Sequence, residues 1–167
     1  MRQHLRAPTS FKTKLLLEPA LFKFDNHMVI DKILLDELSE KARKSERLRM
    51  NYDLRDSSED GSMRMLNAIE PGTFIPVHRH TMTSEDVVVL RGRAEEVLYD
   101  DLGNEESRIL LTPGGVEPGS FPAVHVPMGQ YHTCQSLESG TVIIEFKNGK
   151  YDPLSTEDVL EGEEPRR

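Results

Sequence analysis

Three histidines and one glutamate in this sequence have the side-chain types and the spacing of a divalent-metal site. His78 and His80 lie two residues apart in an extended stretch, so both imidazoles project from the same face of a strand. Glu85 follows a short turn that returns its carboxylate towards the two rings, and His132 stands just after the tight turn Pro127-Met128-Gly129. Three neutral imidazoles and one carboxylate suit a divalent first-row metal, namely Zn, Fe, Mn or Ni. The competing interpretation is two surface histidines and an unrelated glutamate.

The chemistry of such a site depends on whether the metal keeps an open position. A five- or six-coordinate metal would exchange its water for a bidentate hydroxy acid or enediol and act as a Lewis acid in sugar isomerisation or epimerisation. With Fe(II), the same site would also suit dioxygen activation. Zinc with four protein ligands would be structural instead. The sequence therefore predicts either a small metal-dependent enzyme acting on a carbohydrate or hydroxy acid, or a non-catalytic module that binds or senses a small ligand.

Further residues are predicted to line the cavity around the metal, namely Arg49, Asn51, Val87 and Cys134. Val87 and Cys134 each lie two residues from a predicted ligand and so share its face. Arg49 and Asn51 are predicted at the mouth of the cavity, where they would pair with an anionic substrate. The alternatives are a buried, inert Cys134 and a solvent-exposed Arg49.

His125 is the candidate catalytic residue, as a general base that titrates near neutral pH. A turn separates His125 from His132, so the alternation of faces does not fix which way its ring points. The alternative is a half-buried position on the outer face of the sheet.

Short strands must position all of these side chains. One helix is predicted at Asp31–Arg43, with Asp31 as its N-cap and an apolar stripe of Ile30, Ile33, Leu34, Leu38 and Ala42. Beyond it, runs rich in β-branched or aromatic residues alternate with turn signals, which predicts an antiparallel sandwich or barrel. These runs are Met63–Glu70, Phe74–His80, Glu85–Arg91, Ala94–Tyr99, Ser107–Leu111, Phe121–Val126, Tyr131–Ser136 and Thr141–Lys147.

Two motifs resemble those of the cupin superfamily. The pattern Gly72-x5-His78-x-His80-x4-Glu85-x6-Gly92 matches the first cupin motif at every fixed position. The second motif is partly met by Pro127-x-Gly129-x2-His132, with Gly119 two residues too far upstream and Ser136 where Asn is usual. The resemblance implies an all-β fold, a cupin-type double-stranded β-helix (jelly-roll barrel) with an N-terminal helix. It also implies a metal site at the residues that match the motif ligands.

The chain also resembles the WbuC-type cupin-fold metalloproteins from about Val29 to Pro153. The segments that carry this likeness are Leu48-Arg49-Met50-Asn51, Met65-Leu66-Asn67-Ala68, His78-Arg79-His80 and Gly149-Lys150-Tyr151-Asp152-Pro153. Members of that group are often associated with surface-polysaccharide biosynthesis, which implies a sugar-derived small-molecule ligand. The resemblance supplies no reaction, so it leaves enzymatic activity open.

Charge divides the chain into three predicted parts. Residues 1–27 are basic and are predicted to be a disordered leader, either an upstream extension or an organelle transit segment. Residues 28–153 are predicted to form the cupin domain with its leading helix. Residues 154–167 are rich in acidic residues and are predicted to be a solvated tail.

Composition limits the partners. The formal net charge of −8 over 167 residues disfavours nucleic acid, whose phosphates the surface would repel. No stretch approaches the roughly 18–20 apolar residues of a membrane helix, so no membrane partner is expected. The single cysteine, Cys134, fits a reducing compartment, and we expect a cytoplasmic protein.

The outward residues of the predicted strands point to self-association. Ile75 and Val77, together with Val88 and Leu90, are too apolar to face water. The helix or a second copy of the chain should cover them, and we expect a homodimer.

Overall fold

The computed structural model of the chain describes residues 23–24 and 27–160. This described part contains one α-helix, α1 (Lys32–Lys44), and short 3-10 turns at Pro113–Gly115 and Thr156–Asp158. Its strands are β1 (Lys23–Phe24), β2 (His27–Met28), β3 (Arg49–Asp53), β4 (Met63–Ile69), β5 (Glu85–Arg91), β6 (Ala94–Tyr99), β7 (Glu105–Leu111), β8 (Ala123–Val126), β9 (Tyr131–Ser136) and β10 (Thr141–Lys147). The described residues include no helix with the length and apolar character needed to cross a membrane.

Strands β3 to β10 form two antiparallel sheets. One sheet has the order β3-β4-β10-β5-β8 and the other has the order β7-β6-β9. Strands of both sheets contribute to one buried cluster, which consists of Ile69, Val87, Val89, Ala94, Leu111, Cys134 and Ile143. Two sheets that bury one apolar interior, with a leading helix, confirm the predicted all-β jelly-roll fold.

Helix α1 forms where the sequence predicts it and covers the outer face of the five-stranded sheet. The Asp31 carboxylate caps it by accepting a hydrogen bond of 2.9 Å from the amide of Leu34. The buried helix residues pack on β4 and β10, with Leu34, Leu38 and Ala42 against Leu66, Ala68, Val142 and Ile144. Ile33 is 45% exposed, because the four-residue repeat of the buried positions defines a narrower stripe than predicted.

Four predicted strands, β5, β6, β9 and β10, have the predicted limits, whereas Phe74–His80 is not a continuous strand. Within that segment only His78 makes ladder contacts, one of them with His132. Pro76 has no amide hydrogen for a ladder, which interrupts the alternation of faces. Ile75, expected on the outside, therefore packs against the interior cluster. Strand β3, which was not predicted, pairs with β4.

Part of the segment predicted as an acidic tail, residues 158–160, contacts the segment that carries His78. The amide of Leu160 donates to the carbonyl of Val77 at 2.9 Å, and the amide of Arg79 donates to the carbonyl of Asp158 at 2.9 Å. Val159 also pairs with His78. Residues 161–167 and most of the predicted leader lie outside the described residues, so the domain limits stay a prediction.

An apolar groove remains between α1 and the five-stranded sheet. It has a volume of about 490 Å³ and is lined by Ile30, Leu35, Val88, Leu90, Ile144 and Phe146. Helix α1 covers part of this face, since Val88 and Leu90 pack against the cluster beneath it. The homodimer stays a prediction.

Gly92 gives the fold a direct test, because it turns the chain from β5 into β6. Its φ is +79°, and a Cβ there would lie 2.7 Å from the Cα of buried Thr141. Gly119 has a similar φ of +77° with nothing within 4 Å of an added Cβ. We expect Gly119→Ala to cost about 1–2 kcal/mol of backbone strain. Gly92→Ala should lower the free energy of unfolding by clearly more, as measured by urea denaturation. Equal losses would contradict this reason for the motif glycine.

Candidate metal centre

The four predicted ligands converge between the two sheets. His78 and His80 lie in the extended segment before β5, Glu85 is the first residue of β5, and His132 is the second residue of β9. One ligand atom from each side chain lies within 4.8 Å of the ligand atoms of the other three. Glu85 Oε2 is 3.4 Å from His80 Nε2 and 3.4 Å from His132 Nε2.

Backbone hydrogen bonds hold the histidine segment beside β9. The amide of His78 donates to the carbonyl of His132 at 2.9 Å, and the amide of His132 donates back at 2.8 Å. The amide of Gly129 donates to the carbonyl of His80 at 2.9 Å. The three imidazoles are thereby fixed by two short stretches that are distant in sequence.

A backbone carbonyl orients the ring of His78, whereas the ring of His132 lies close to a carboxyl group without a hydrogen bond to it. His78 Nδ1 lies 2.9 Å from the carbonyl of Pro76, to which it donates when protonated, leaving Nε2 for a metal. His132 Nδ1 lies 2.9 Å from Glu96 Oε1. Neither nitrogen of buried His132 has a well-aligned hydrogen bond among the described residues. A buried ring with unsatisfied nitrogens is costly unless a ligand completes it.

A lysine ammonium lies among the candidate ligands. Lys147 Nζ donates to His80 Nε2 at 2.7 Å and lies 3.3 Å from Glu85 Oε1. The cluster therefore already attracts a positive charge. A bound metal would compete with this ammonium for the same nitrogen and oxygen atoms.

Burial keeps the imidazoles neutral. It lowers the pKa of His78 to about 3 and the pKa values of His80 and His132 to about 4. The positive charge of Lys147 adds to the lowering at each of the three rings. At neutral pH each ring therefore keeps a lone pair that a metal could bind, and at His80 the metal would displace the Lys147 ammonium.

The donor set fits a divalent first-row metal. Nitrogen and oxygen ligands at 2.0–2.2 Å from one cation lie at most about 4.3 Å apart. The observed spread of 4.8 Å thus needs a contraction of only a few tenths of an ångström. The unsatisfied His132 ring and the ammonium among the ligands support the same conclusion.

All four predicted cavity residues lie beside this cluster. Arg49 and Asn51 line a cavity of about 280 Å³ that reaches His78 and His80. Val87 and Cys134 line a smaller space of about 40 Å³ on the inner side, next to the other two candidate ligands. Burial raises the pKa of Cys134 well above its ordinary value, so its thiol stays protonated. Substrate binding by these residues remains a proposal.

His125 does not join the cluster, so the prediction of a cavity-facing base is wrong. It lies opposite Asp86 across the β5–β8 pair, and its Nδ1 is 2.7 Å from Asp86 Oδ1. Asp86 points away from the interior because Glu85, its neighbour, points into it. Both side chains of the His125–Asp86 pair are more than half exposed.

Three charged residues near the cluster were missed by the sequence analysis, namely Glu96, Glu145 and Lys147. Glu96 lies opposite Cys134, and burial raises the pKa of its carboxyl well above the ordinary value. Burial, followed by the charge of Glu85, raises the pKa of Glu145 to about 8. Lys147 pairs with Glu85 in the β10–β5 register. Charged residues at alternate positions of the otherwise apolar β10 were the available signal.

Comparison by sequence gives a partial family match. Residues 30–111 match a family model described as a domain of unknown function, DUF6016. This segment is slightly less than half of the chain. No curated protein is significantly similar to the chain in sequence.

Comparison by structure finds the capsular polysaccharide assembling protein CapF from Staphylococcus aureus. One CapF crystal structure has a TM-score of 0.51 and 20% identity, and the match covers 62% of this chain and 27% of CapF. A second, in space group C2221, has a TM-score of 0.53 and 20% identity over 65% of this chain and 30% of CapF. The structure of CapF with the inhibitor 3-isopropenyl-tropolone has a TM-score of 0.50 and 20% identity, and the match covers 62% of this chain and 28% of CapF. The chain thus spans less than a third of CapF, and the likeness shows a shared cupin-type fold.

Removing a single ligand tests the cluster. We expect His78→Ala and His132→Ala each to abolish stoichiometric metal retention, because each deletes one of four donors. Elemental analysis of the purified proteins measures this, with circular dichroism as a check on folding. His125→Ala is the matched control and should retain metal. Metal at full stoichiometry in either ligand variant would exclude the four-ligand site.

The lowered pKa values of the imidazoles predict an acid-tolerant site. Three ordinary imidazoles would lose about a thousandfold in metal affinity through proton competition between pH 7.5 and pH 5.5. Protons compete with the metal here only as the pH falls towards 4, where His80 and His132 begin to charge. Metal titrations at the two pH values should therefore show a much smaller loss. A thousandfold loss would mean that the rings are solvated.

Proposed function

We propose that the chain is a small metal-dependent enzyme that acts on a carbohydrate or a hydroxy acid. The observation that carries this proposal is the convergence of His78, His80, Glu85 and His132 beside a cavity of about 280 Å³. These four residues would hold the metal, which is Zn, Fe, Mn or Ni. When bound, it would supply Lewis-acid chemistry for an isomerisation or epimerisation.

The residues around the cluster have separate tasks in this proposal. The Pro76 carbonyl orients the ring of His78, and Ile75 and Val87 limit water on the inner side. Glu145 lines both the cavity of about 280 Å³ and the smaller space of about 40 Å³. Its carboxyl group is therefore the candidate for exchanging a proton with a bound molecule.

Charge balance supports a divalent cation at this position. Three acidic side chains, Glu85, Glu96 and Glu145, lie around the cluster, whereas Lys147 is the cation that contacts it among the described residues. Without a metal, burial raises the pKa of Glu145 to about 8 and that of Glu96 well above its ordinary value, so the ionised forms of both groups are disfavoured. A divalent metal would supply the positive charge that stabilises those ionised forms.

The finer assignment is to the WbuC-type cupin metalloproteins and to surface-polysaccharide metabolism. The segments that resemble this group support it, and so does the fold shared with CapF, which is described as assembling capsular polysaccharide. The ligand would then be derived from a sugar. A cytoplasmic homodimer completes the proposal, supported by the single cysteine and by the apolar groove beside α1.

A non-catalytic role is the second candidate, and one observation favours it. Glu85 belongs to the five-stranded sheet and His132 to the three-stranded sheet, and they are only 3% and 2% exposed. A metal between them would cross-link the two sheets in the manner of a structural site. An exchangeable position on the metal distinguishes the two candidates.

Cobalt spectroscopy tests that position. Tropolone carries two adjacent oxygen donors, whereas tropone lacks the hydroxyl group and is the matched control. We expect tropolone, but not tropone, to change the visible absorption of the Co(II)-loaded protein at one equivalent. His132→Ala, which should not retain the metal, should show no such change. If tropolone leaves the visible absorption of the Co(II)-loaded protein unchanged, the result would favour the structural role.

A further inference from the structure

We infer that the cavity contains a second subsite, formed by Arg47 and Arg49, that binds an anionic oxygen group at the end opposite the metal cluster. The ligand would be a small hydroxylated acid with two charged ends. One end would reach the metal and the other the two guanidinium groups. The inference rests on the proposed metal site and specifies the ligand of that site.

Arg47 and Arg49 differ from the other arginines of the described part of the chain in having no carboxylate partner. Among its nine arginines, seven have a carboxylate oxygen within 4.0 Å, namely Arg43, Arg55, Arg64, Arg79, Arg91, Arg93 and Arg108. Arg47 and Arg49 have no such partner among the described residues. Arg47 is exposed and Arg49 is half-buried, so both guanidinium groups are accessible to an external anion.

Both arginines line the cavity of about 280 Å³ together with His78 and His80. Arg49 is half-buried at the start of β3, and its burial, together with the charge of Arg47, lowers the pKa of its guanidinium. The charges of Glu145 and Tyr151 act in the opposite direction but do not cancel this lowering. Asp152 also lines the cavity but is not within 4.0 Å of either guanidinium group. A guanidinium fork binds a carboxylate or a phosphate through two parallel hydrogen bonds.

Two amides offer contacts between the ends of the cavity. Asn51 and Asn67 lie directly opposite each other in the β3–β4 register, and both line the cavity. Among the described residues, the side-chain amide of Asn51 has one hydrogen-bond partner, the sulfur of Met65 at 3.3 Å, which is a weak acceptor. No side-chain hydrogen bond of Asn67 occurs among the described residues. Both amides are therefore available to the hydroxyl groups of a ligand.

The size of the cavity limits the ligand. Ordinary small-molecule pockets measure roughly 300–1,000 Å³, so a volume of 280 Å³ matches a small molecule. A carboxylate or a phosphate satisfies the same guanidinium geometry. The ligand group that binds the two arginines is therefore an anion, and the experiment identifies whether it is a carboxylate or a phosphate.

Matched pairs of acids test the second subsite in the Co(II)-loaded protein. Lactate and malate share an α-hydroxy acid end, but only malate has a distal carboxylate. Glycerate and 3-phosphoglycerate differ in the same way by a phosphate. We expect the wild type to bind at least one of the two acids with a charged distal group, malate or 3-phosphoglycerate, about tenfold or more tightly than its partner. The pair with the larger ratio identifies the distal group.

Arginine variants decide whether the subsite causes that preference. In the double variant Arg47→Gln/Arg49→Gln, the ratio should fall below about twofold, while metal content and lactate affinity stay unchanged. Arg108→Gln, which removes a paired surface arginine, should keep the full preference. A preference that survives in the double variant, or is absent from the wild type, would overturn the inference. If the metal-loaded protein binds none of the four acids and no tropolone, the proposed function itself fails.

Discussion

The backbone pairing of His78 with His132 is the interaction on which the candidate site depends. The histidine segment is not a regular strand, and Pro76 prevents a continuous ladder. Two hydrogen bonds of 2.9 and 2.8 Å nevertheless hold it beside β9. Since Glu85 belongs to the other sheet, this pairing brings the donors of three separate stretches together. Without it, His78 would lose its direct backbone link to His132, and the Gly129–His80 hydrogen bond would hold the segment less firmly.

Burial of the site from solvent determines the pKa values of its titratable groups. Burial keeps the imidazoles neutral and leaves the His132 ring unsatisfied, and it also raises the pKa values of the surrounding acidic groups. A divalent cation would satisfy the rings and would also stabilise the ionised forms of those acidic groups. The outer cavity differs, because its arginine and asparagine side chains are polar and accessible. The buried cluster would thus bind a metal, whereas the adjoining cavity offers polar side chains to a ligand of that metal.

Much of the fold and the ligand set could be predicted because the signals are local. Strand alternation fixes the face of Glu85 and Val87, and turn residues bound β5, β6, β9 and β10. The errors arise where a long-range contact overrides the local pattern. Ile75 turns inward after Pro76 interrupts the ladder, and His125 points outward because its register is set by Asp86 on β5. Glu145 was missed because the alternation along β10 marks it as an unusual charged position, whereas its burial depends on how the two sheets close.

The contact between residues 158–160 and the histidine segment has a practical consequence. Val159 pairs with the same residue, His78, that pairs with β9. The segment that carries two candidate ligands is therefore bordered by chain on both sides. The smallest recombinant unit that preserves the ligand geometry must extend to Leu160. An affinity handle fused directly after Pro153 would replace the backbone contacts that residues 158–160 make with Val77, His78 and Arg79.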